Sequence, residues 1–109
     1  MGKVKKHNSK KPSLNSPKYI RNPDIVLREE EEDAALLFNP DTGQVKVLNS
    51  TGLFIWQRCD GNNNLPSIVA AMRESFNDVP EDQITSDITD FIDGMTATGF
   101  IGIVENQNQ

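Results

Sequence analysis

Apolar residues in the first half of the chain come in short runs separated by turn-forming residues, a pattern typical of β-strands. The runs predict strands over residues 25–29, 34–38 and 44–48. Residues 39–43 read Asn-Pro-Asp-Thr-Gly, and the backbone preferences of these residue types favour a reversal of the chain. The pattern therefore predicts a hairpin that joins the second and third strands.

The third predicted strand has two different faces. Val45 and Val47 share one face, and Lys46 and Leu48 share the other. A three-stranded sheet leaves edges with unpaired backbone groups, and a guest peptide can pair with such an edge. A lysine in the middle of an edge strand also protects that edge from aggregation. The pattern favours a peptide-binding edge and an edge that is only protected from aggregation equally.

After Asn49 the apolar spacing changes to that of α-helices. The pattern predicts a dense, buried helix over residues 51–59 that contains Trp56 and has Ser50 as its N-cap. Residues 62–64 are then expected to form a short polar connection, with Asn64 as the cap of a second helix. The apolar positions of that helix are Leu65, Ile68, Val69, Met72 and Phe76.

A third helix is predicted to start at Pro80 and to end before Gly99. Residues 100–104 are expected to add one short strand or to pack on the core. Three strands followed by three helices predict an α+β fold, a small winged-helix-like domain with a three-stranded antiparallel sheet. The apolar positions of the third helix are Ile84, Ile88, Phe91, Ile92 and Met95.

Charge divides the chain sharply. The net charge is −5, but the first 21 residues hold seven Lys and Arg and no acid, whereas the rest holds all 16 acids. Composition predicts a disordered basic tail over residues 1–18, a folded domain over 19–104 and a frayed end over 105–109. A fold that binds nucleic acid needs positive charge on its folded surface. The third helix has none, and its acids are Glu81, Asp82, Asp87, Asp90 and Asp93.

Catalytic and metal-binding chemistry have little support in the sequence. The only histidine is His7 in the tail and the only cysteine is Cys59, so the folded part lacks a nucleophile–base pair and a set of metal ligands. Cys59 is expected to be a small buried core residue. Neither a signal peptide nor a membrane-spanning run is present. We expect a cytoplasmic protein with no cofactor and no nucleic-acid or membrane partner.

Three motifs in the chain are similar to those of the coenzyme PQQ synthesis protein D (PqqD) family. They are Leu-Asn-Ser-Thr-Gly at 48–52, Ile-Trp-Gln-Arg-Cys-Asp-Gly at 55–61, and Asp-Ile-Thr-Asp-Phe-Ile at 87–92 before Gly99 and Phe100. The resemblance spans about residues 19–104. The basic tail and Asn64, which stands where a Thr-type cap is usual, depart from the family pattern. Membership of the family is therefore better supported than a role in making PQQ itself.

The resemblance implies a recognition element for a ribosomally made (RiPP) precursor peptide. Members of the family bind the leader of the precursor as an added strand and present it to a modifying enzyme, commonly a radical SAM protein. On the third helix, Ile84, Ile88 and Phe91 belong first to the apolar stripe that faces the core, so only their groove-side edges would contact a guest. Carried onto this chain, the implied site consists of Val45, Lys46, Val47 and Leu48 on the third strand and Ile84, Asp87, Ile88 and Phe91 on the third helix.

Three hypotheses for the function follow. The leading one is a non-enzymatic peptide chaperone that holds a precursor leader by strand addition and docks on a maturation enzyme. The second is a winged-helix transcriptional regulator, which predicts DNA binding that survives deletion of residues 1–18. The third is an assembly subunit that stabilises the enzyme without touching the peptide.

Overall fold

The structure is a computed structural model that describes residues 16–30 and 34–104. Most of the predicted basic tail lies outside the described residues. The same holds for residues 31–33, between the first two predicted strands, and for the predicted frayed end at 105–109.

The described residues form six strands and three helices arranged as an α+β fold. The strands build two antiparallel three-stranded sheets, with the orders β2-β3-β4 and β5-β1-β6. The elements in chain order are β1 Lys18–Arg21, β2 Val26–Glu30, β3 Ala34–Phe38, β4 Val45–Leu48, α1 Ser50–Arg58, β5 Asp60–Asn64, α2 Leu65–Ser75, α3 Glu81–Ala97 and β6 Ile101–Val104.

The predicted hairpin is confirmed, and its turn sets the register of β3 against β4. The Asn39 N–H donates to the Gln44 carbonyl at 2.9 Å, and the Gly43 N–H donates to the Asn39 carbonyl at 2.7 Å. Gly43 has a φ of 79°, which suits glycine best. The buried side chain of Asn39 accepts a hydrogen bond from the Asp41 N–H. The turn is thus held by the side-chain and backbone groups of one residue.

The second sheet was not predicted from the sequence. Residues 62–64, expected to be a polar connection, belong to β5, which pairs with β1. The stretch Asp-Gly-Asn-Asn-Asn has low intrinsic preference for strands. It is extended because β1, some 40 residues earlier in the chain, pairs with it, and β6 pairs with the other side of β1. A strand whose pairing partner lies so far away in the sequence has no local sequence pattern that predicts it.

Of the two predicted helix caps, one is correct and one is wrong. Asn64 caps α2 as expected, because its Oδ1 accepts the Ser67 N–H at 3.1 Å. Ser50 is not the cap of α1, since it is already helical. Asn49 caps α1 instead, with its Oδ1 accepting the Gly52 N–H at 2.8 Å. Both residue types are good caps, and the end of β4 at Leu48 decides which one occupies the position.

The core lies between the β2-β3-β4 sheet and the helices. Its largest fully buried side chains come from β3, from all three helices and from the residues that directly precede β5 and β6: Leu37, Ile55, Ile68, Ile88, Cys59 and Phe100. Arg21 of β1 ties the second sheet to α1, because its Nη1 donates to the carbonyls of Trp56 and Gln57 at the end of that helix. Within the described residues, no helix is long and apolar enough to cross a membrane.

Replacement of Trp56 by alanine should strongly destabilise the fold. Trp56 exposes only 4% of its surface, so Trp56→Ala should lower the free energy of unfolding by about 3–5 kcal/mol through lost burial and an unfilled cavity. Urea unfolding followed by circular dichroism measures this. Gln57→Ala, at the exposed next position of α1, should change stability little, and equal losses in the two variants would contradict the packing described.

Cys59 should make the fold less stable at alkaline pH. Burial raises the pKa of its thiol from 9.0 to about 12, so between these values the unfolded chain has lost a proton that the folded chain keeps. The unfolded state then binds fewer protons, and the free energy of unfolding falls as the pH rises through this window, by up to about 1.4 kcal/mol per pH unit. Urea unfolding from pH 8 upward should show a shallower decline in Cys59→Ala, and parallel curves would refute the assignment.

Candidate functional site

The outer edge of β4 has no strand partner among the described residues. The bond from Asn39 to Gln44 identifies these two as a hydrogen-bonded pair, and in an antiparallel ladder bonded and non-bonded pairs alternate. Lys46 and Leu48 therefore direct their backbone groups to β3. The N–H and C=O of Val45 and Val47 point away from the sheet, where an added strand would meet them.

A groove of about 600 Å³ lies beside this edge, between the end of β4 and the helices α1 and α3. Its walls include Leu48, Ile55 and Phe91, so they are largely apolar. Among the described residues, Asp87 is the one charged residue that lines it. The lining residues are Ala34, Val47, Leu48, Asn49, Thr51, Gly52, Ile55, Asp87 and Phe91.

The turn from β4 into α1 shapes the floor of the groove. Asn49 lies in this turn and caps α1, which fixes the direction in which the helix leaves the strand. Gly52, in the first turn, is buried against α3. A Cβ there would lie 3.3 Å from Cε1 of Phe91 and 3.4 Å from Cδ2 of Leu48. Glycine at this position therefore lets α1, β4 and Phe91 approach one another closely.

The structure brings together part of the site that the sequence predicted. Val47, Leu48, Asp87 and Phe91 all line the groove. Val45 lies on the same strand and is exposed.

The remaining predicted positions lie away from the groove. Lys46 extends its ammonium to 5.4 Å from the centre of the Phe100 ring. Ile84 and Ile88 belong to the core and expose 3% and 0% of their surface, so they support α3 from within and offer little surface to a guest.

The sequence analysis did not assign five residues that line the groove. Asn49, Thr51 and Gly52 stand in the motif at 48–52, so a signal for them was present in the sequence. Ile55 stands in the motif at 55–61, whereas Ala34 carried no such signal. Ala34 reaches the groove only because β3 pairs with β4, and Ile55 only because α1 packs on that sheet.

The described residues contain no cluster of three or more His, Cys, Asp or Glu side chains that would hold a metal ion. The pKa of Tyr19 is raised by burial and by the nearby carboxylate of Asp93, and Cys59 is protonated at neutral pH. Both lie outside the groove. The groove itself offers shape, apolar surface, open backbone groups and one carboxylate.

Comparison with protein families gives a match over most of the folded part. The family described as coenzyme PQQ synthesis protein D (PqqD) matches residues 34–101. The chain belongs to the PqqD family. The membership predicted from the three motifs is confirmed, and the matched region contains every residue that lines the groove.

Two curated relatives of this PqqD-family chain are described as PqqA binding proteins. That of Acinetobacter baumannii (strain AYE) is 33% identical over 64 residues, which are 59% of this chain and 64% of the relative, so the match spans just under two thirds of that protein. That of Pseudomonas paraeruginosa (strain DSM 24068 / PA7) is 35% identical over 82 residues, 75% of this chain and 85% of the relative.

Among solved structures, the PqqD-family chain resembles TbiB1, which was solved in complex with the TbiA(beta) leader peptide. The TM-score is 0.66 at 19% identity, and the match covers 83% of this chain and 99% of TbiB1. At this level of identity the likeness shows a shared fold. The α+β prediction is thereby confirmed, with the addition of the second sheet.

Proposed function

We propose that this chain is a non-enzymatic recognition element that binds the leader of a ribosomally made precursor peptide and presents it to a modifying enzyme in the cytoplasm. The observation that carries the proposal is the open edge of β4, where the outward backbone groups of Val45 and Val47 border an apolar groove. The proposal assigns the binding to residues 19–104 and the covalent chemistry to the partner, for which a radical SAM enzyme is the leading candidate.

Strand addition explains how the edge and the groove act together. A leader strand on β4 would exchange hydrogen bonds with the backbone of Val45 and Val47. Side chains alternate between the two faces of a sheet. Leader residues beside Leu48 therefore point to the same side as Leu48, towards α3 and the groove. An apolar leader side chain placed there would lie among Leu48, Ile55 and Phe91.

Asp87 adds a second element of leader recognition. It is the only charged residue in the lining, and an ionised carboxylate can only accept hydrogen bonds. A Lys or Arg of the leader, one or two residues from the apolar anchor, would satisfy it. The leader we expect thus combines an apolar side chain with a nearby cation.

The relatives agree with this chemistry. The curated proteins with 33% and 35% identity are described by their binding of PqqA, and the structural relative was solved with a leader peptide. We extend leader binding to this chain because its own edge strand and groove offer the backbone and apolar contacts that a strand-like peptide needs.

Proline at position 47 should weaken leader binding strongly and leave the fold intact. The N–H of Val47 faces the open edge, so Val47→Pro removes a donor to the leader without breaking a bond to β3. We expect the leader affinity to fall at least about tenfold, equivalent to about 1.4 kcal/mol. Fluorescence anisotropy with labelled leader measures the affinity, and thermal unfolding by circular dichroism checks the fold.

The matched control is Glu29→Pro. Bonded and non-bonded pairs also alternate between β3 and β2, and Glu29 belongs to a non-bonded pair, so its N–H faces the outer edge of β2 on the other side of the sheet. Both prolines therefore stress an edge strand in the same way. Normal leader binding by folded Val47→Pro would show that another edge is used. Equal losses in both variants would point to general strain in the sheet.

Removal of the charge at Asp87 should weaken leader binding modestly and selectively. Asp87 is exposed, so its ion pair with a leader cation is screened by solvent. Asp87→Asn should reduce affinity about two- to fivefold, and the loss should shrink at high salt. Asp90→Asn removes an exposed acid of α3 that does not line the groove and should have no effect. A leader whose Lys and Arg are replaced by Gln should bind Asp87→Asn and the unmodified chain with equal affinity. A difference in affinity that persists with this leader would refute the ion pair.

A further inference from the structure

The outer face of the β2-β3-β4 sheet is apolar. Val26, Phe38 and Val45 stand opposite one another on three adjacent strands and form a cross-strand row. They expose 54%, 41% and 57% of their surface. The next row contains Leu36 and Val47, and Val47 is 74% exposed. We call these five side chains the outer patch.

The outer patch departs from the usual pattern of such a sheet. When one face of an antiparallel sheet packs on the core, the other is normally polar. Here the inner face is covered at its central strand, where Ala35 and Leu37 are 0% exposed, while Leu27 on β2 is 39% exposed. Among its described residues, the outer face is charged only on β2, where Arg28 and Glu30 form an ion pair at 3.1 Å. Exposed apolar groups that adjoin in this way mark interaction surfaces.

We propose that the outer patch is the surface on which the modifying enzyme docks, and that the bound leader completes it. This inference rests on the proposed function, because it requires the leader to lie on β4. Its partner is a protein with an apolar contact surface.

Continuity with the leader edge is the first argument. Val45 and Val47 belong both to the outer patch through their side chains and to the open edge through their backbones. In an added strand, the leader residues beside Val45 and Val47 would direct their side chains to the same outer face. The loaded carrier therefore presents a wider face than the empty one, and a docking enzyme would distinguish the two.

The size of the outer patch argues against a second copy of the chain. Side chains that are half exposed on three short strands amount to a few hundred Å², whereas a stable interface buries about 800 Å² on each partner. The chain's own residues 1–15 are a poor occupant, because their apolar side chains are limited to Met1, Val4 and Leu14 among many lysines. A partner that also contacts the leader gains the missing area.

The test uses the full-length chain with the precursor leader and the modifying enzyme encoded in the same gene cluster. Phe38→Thr combined with Val26→Thr makes the outer patch polar at two strands, while threonine keeps the preference for strands. Neither residue lines the groove. The matched control is Ile103→Thr, since Ile103 is 50% exposed on the other sheet. Anisotropy measures leader binding, biolayer interferometry measures enzyme binding with and without leader, and circular dichroism checks the fold.

We expect the double variant to bind leader within about twofold of the unmodified chain and to lose about tenfold in affinity for the enzyme when leader is present. Ile103→Thr should keep both affinities. Unchanged enzyme binding by the double variant, or an equal loss in Ile103→Thr, overturns the inference while leaving the proposed function intact. Failure of the unmodified chain to bind leader overturns the proposed function.

The other occupants have their own signatures. If the unmodified chain sediments as a dimer at micromolar concentration and the double variant as a monomer, a second copy covers the outer patch. If the double variant instead becomes more sensitive to trypsin at Lys6 and Lys10 with unchanged enzyme binding, the N-terminal segment covers it. Either result overturns the docking of the enzyme on this face.

Discussion

The register between β3 and β4 is the constraint on which the rest of this structure depends. Side chains alternate along a strand, so a slip of one residue would move every side chain of β4 to the opposite face. The observed register pairs Ala35 with Leu48 and Leu37 with Lys46, which places Leu48 in the core. The same register directs the backbone of Val47 to the open edge and its side chain to the outer patch. One set of hydrogen bonds thus determines a core contact, the open edge and the exposed apolar face of the outer patch.

The groove depends on how the chain leaves that sheet. Asn49 follows directly on β4 and caps α1, so the helix begins within one residue of the edge strand. Gly52 then allows Phe91 of α3 to come within contact distance of the helix. Because the cap and the glycine act in the same first turn of α1, the end of β4 and the apolar face of α3 form one continuous surface. A peptide on the edge would contact both at once.

Binding by an edge strand, as proposed, would also explain how so small a domain can recognise a peptide. Backbone hydrogen bonds supply contacts that any extended segment can make, and the groove adds selection by side chain. In the proposed function, the carboxylate of Asp87, single among the described residues of an apolar lining, would select by charge without the cost of a buried ion. The acidic surface of α3, which made DNA recognition unattractive in the sequence, becomes a reason to expect a cation in the leader.

The sequence by itself determined the elements whose signals are local. Alternation over residues 34–48, the turn at 39–43 and the helical stripes of α2 and α3 contain their own periodicity, and they predicted the hairpin and the helices correctly. The edge position of β4 and the Asp87–Phe91 stretch of α3 followed from those patterns together with the family resemblance. Buried Trp56 and Cys59 were likewise readable from the apolar density around them.

Only the tertiary structure decided the features that need distant partners. The polar run of β5 is a strand because β1 pairs with it, and no local preference encodes that pairing. The choice of Asn49 over Ser50 as cap depends on where β4 ends. Ala34 and Ile55 line the groove, and Ile84 and Ile88 do not, because packing between elements determines which side of each stripe stays open. Periodicity identifies the face of an element, whereas the neighbour that covers the face is set by contacts far apart in the chain.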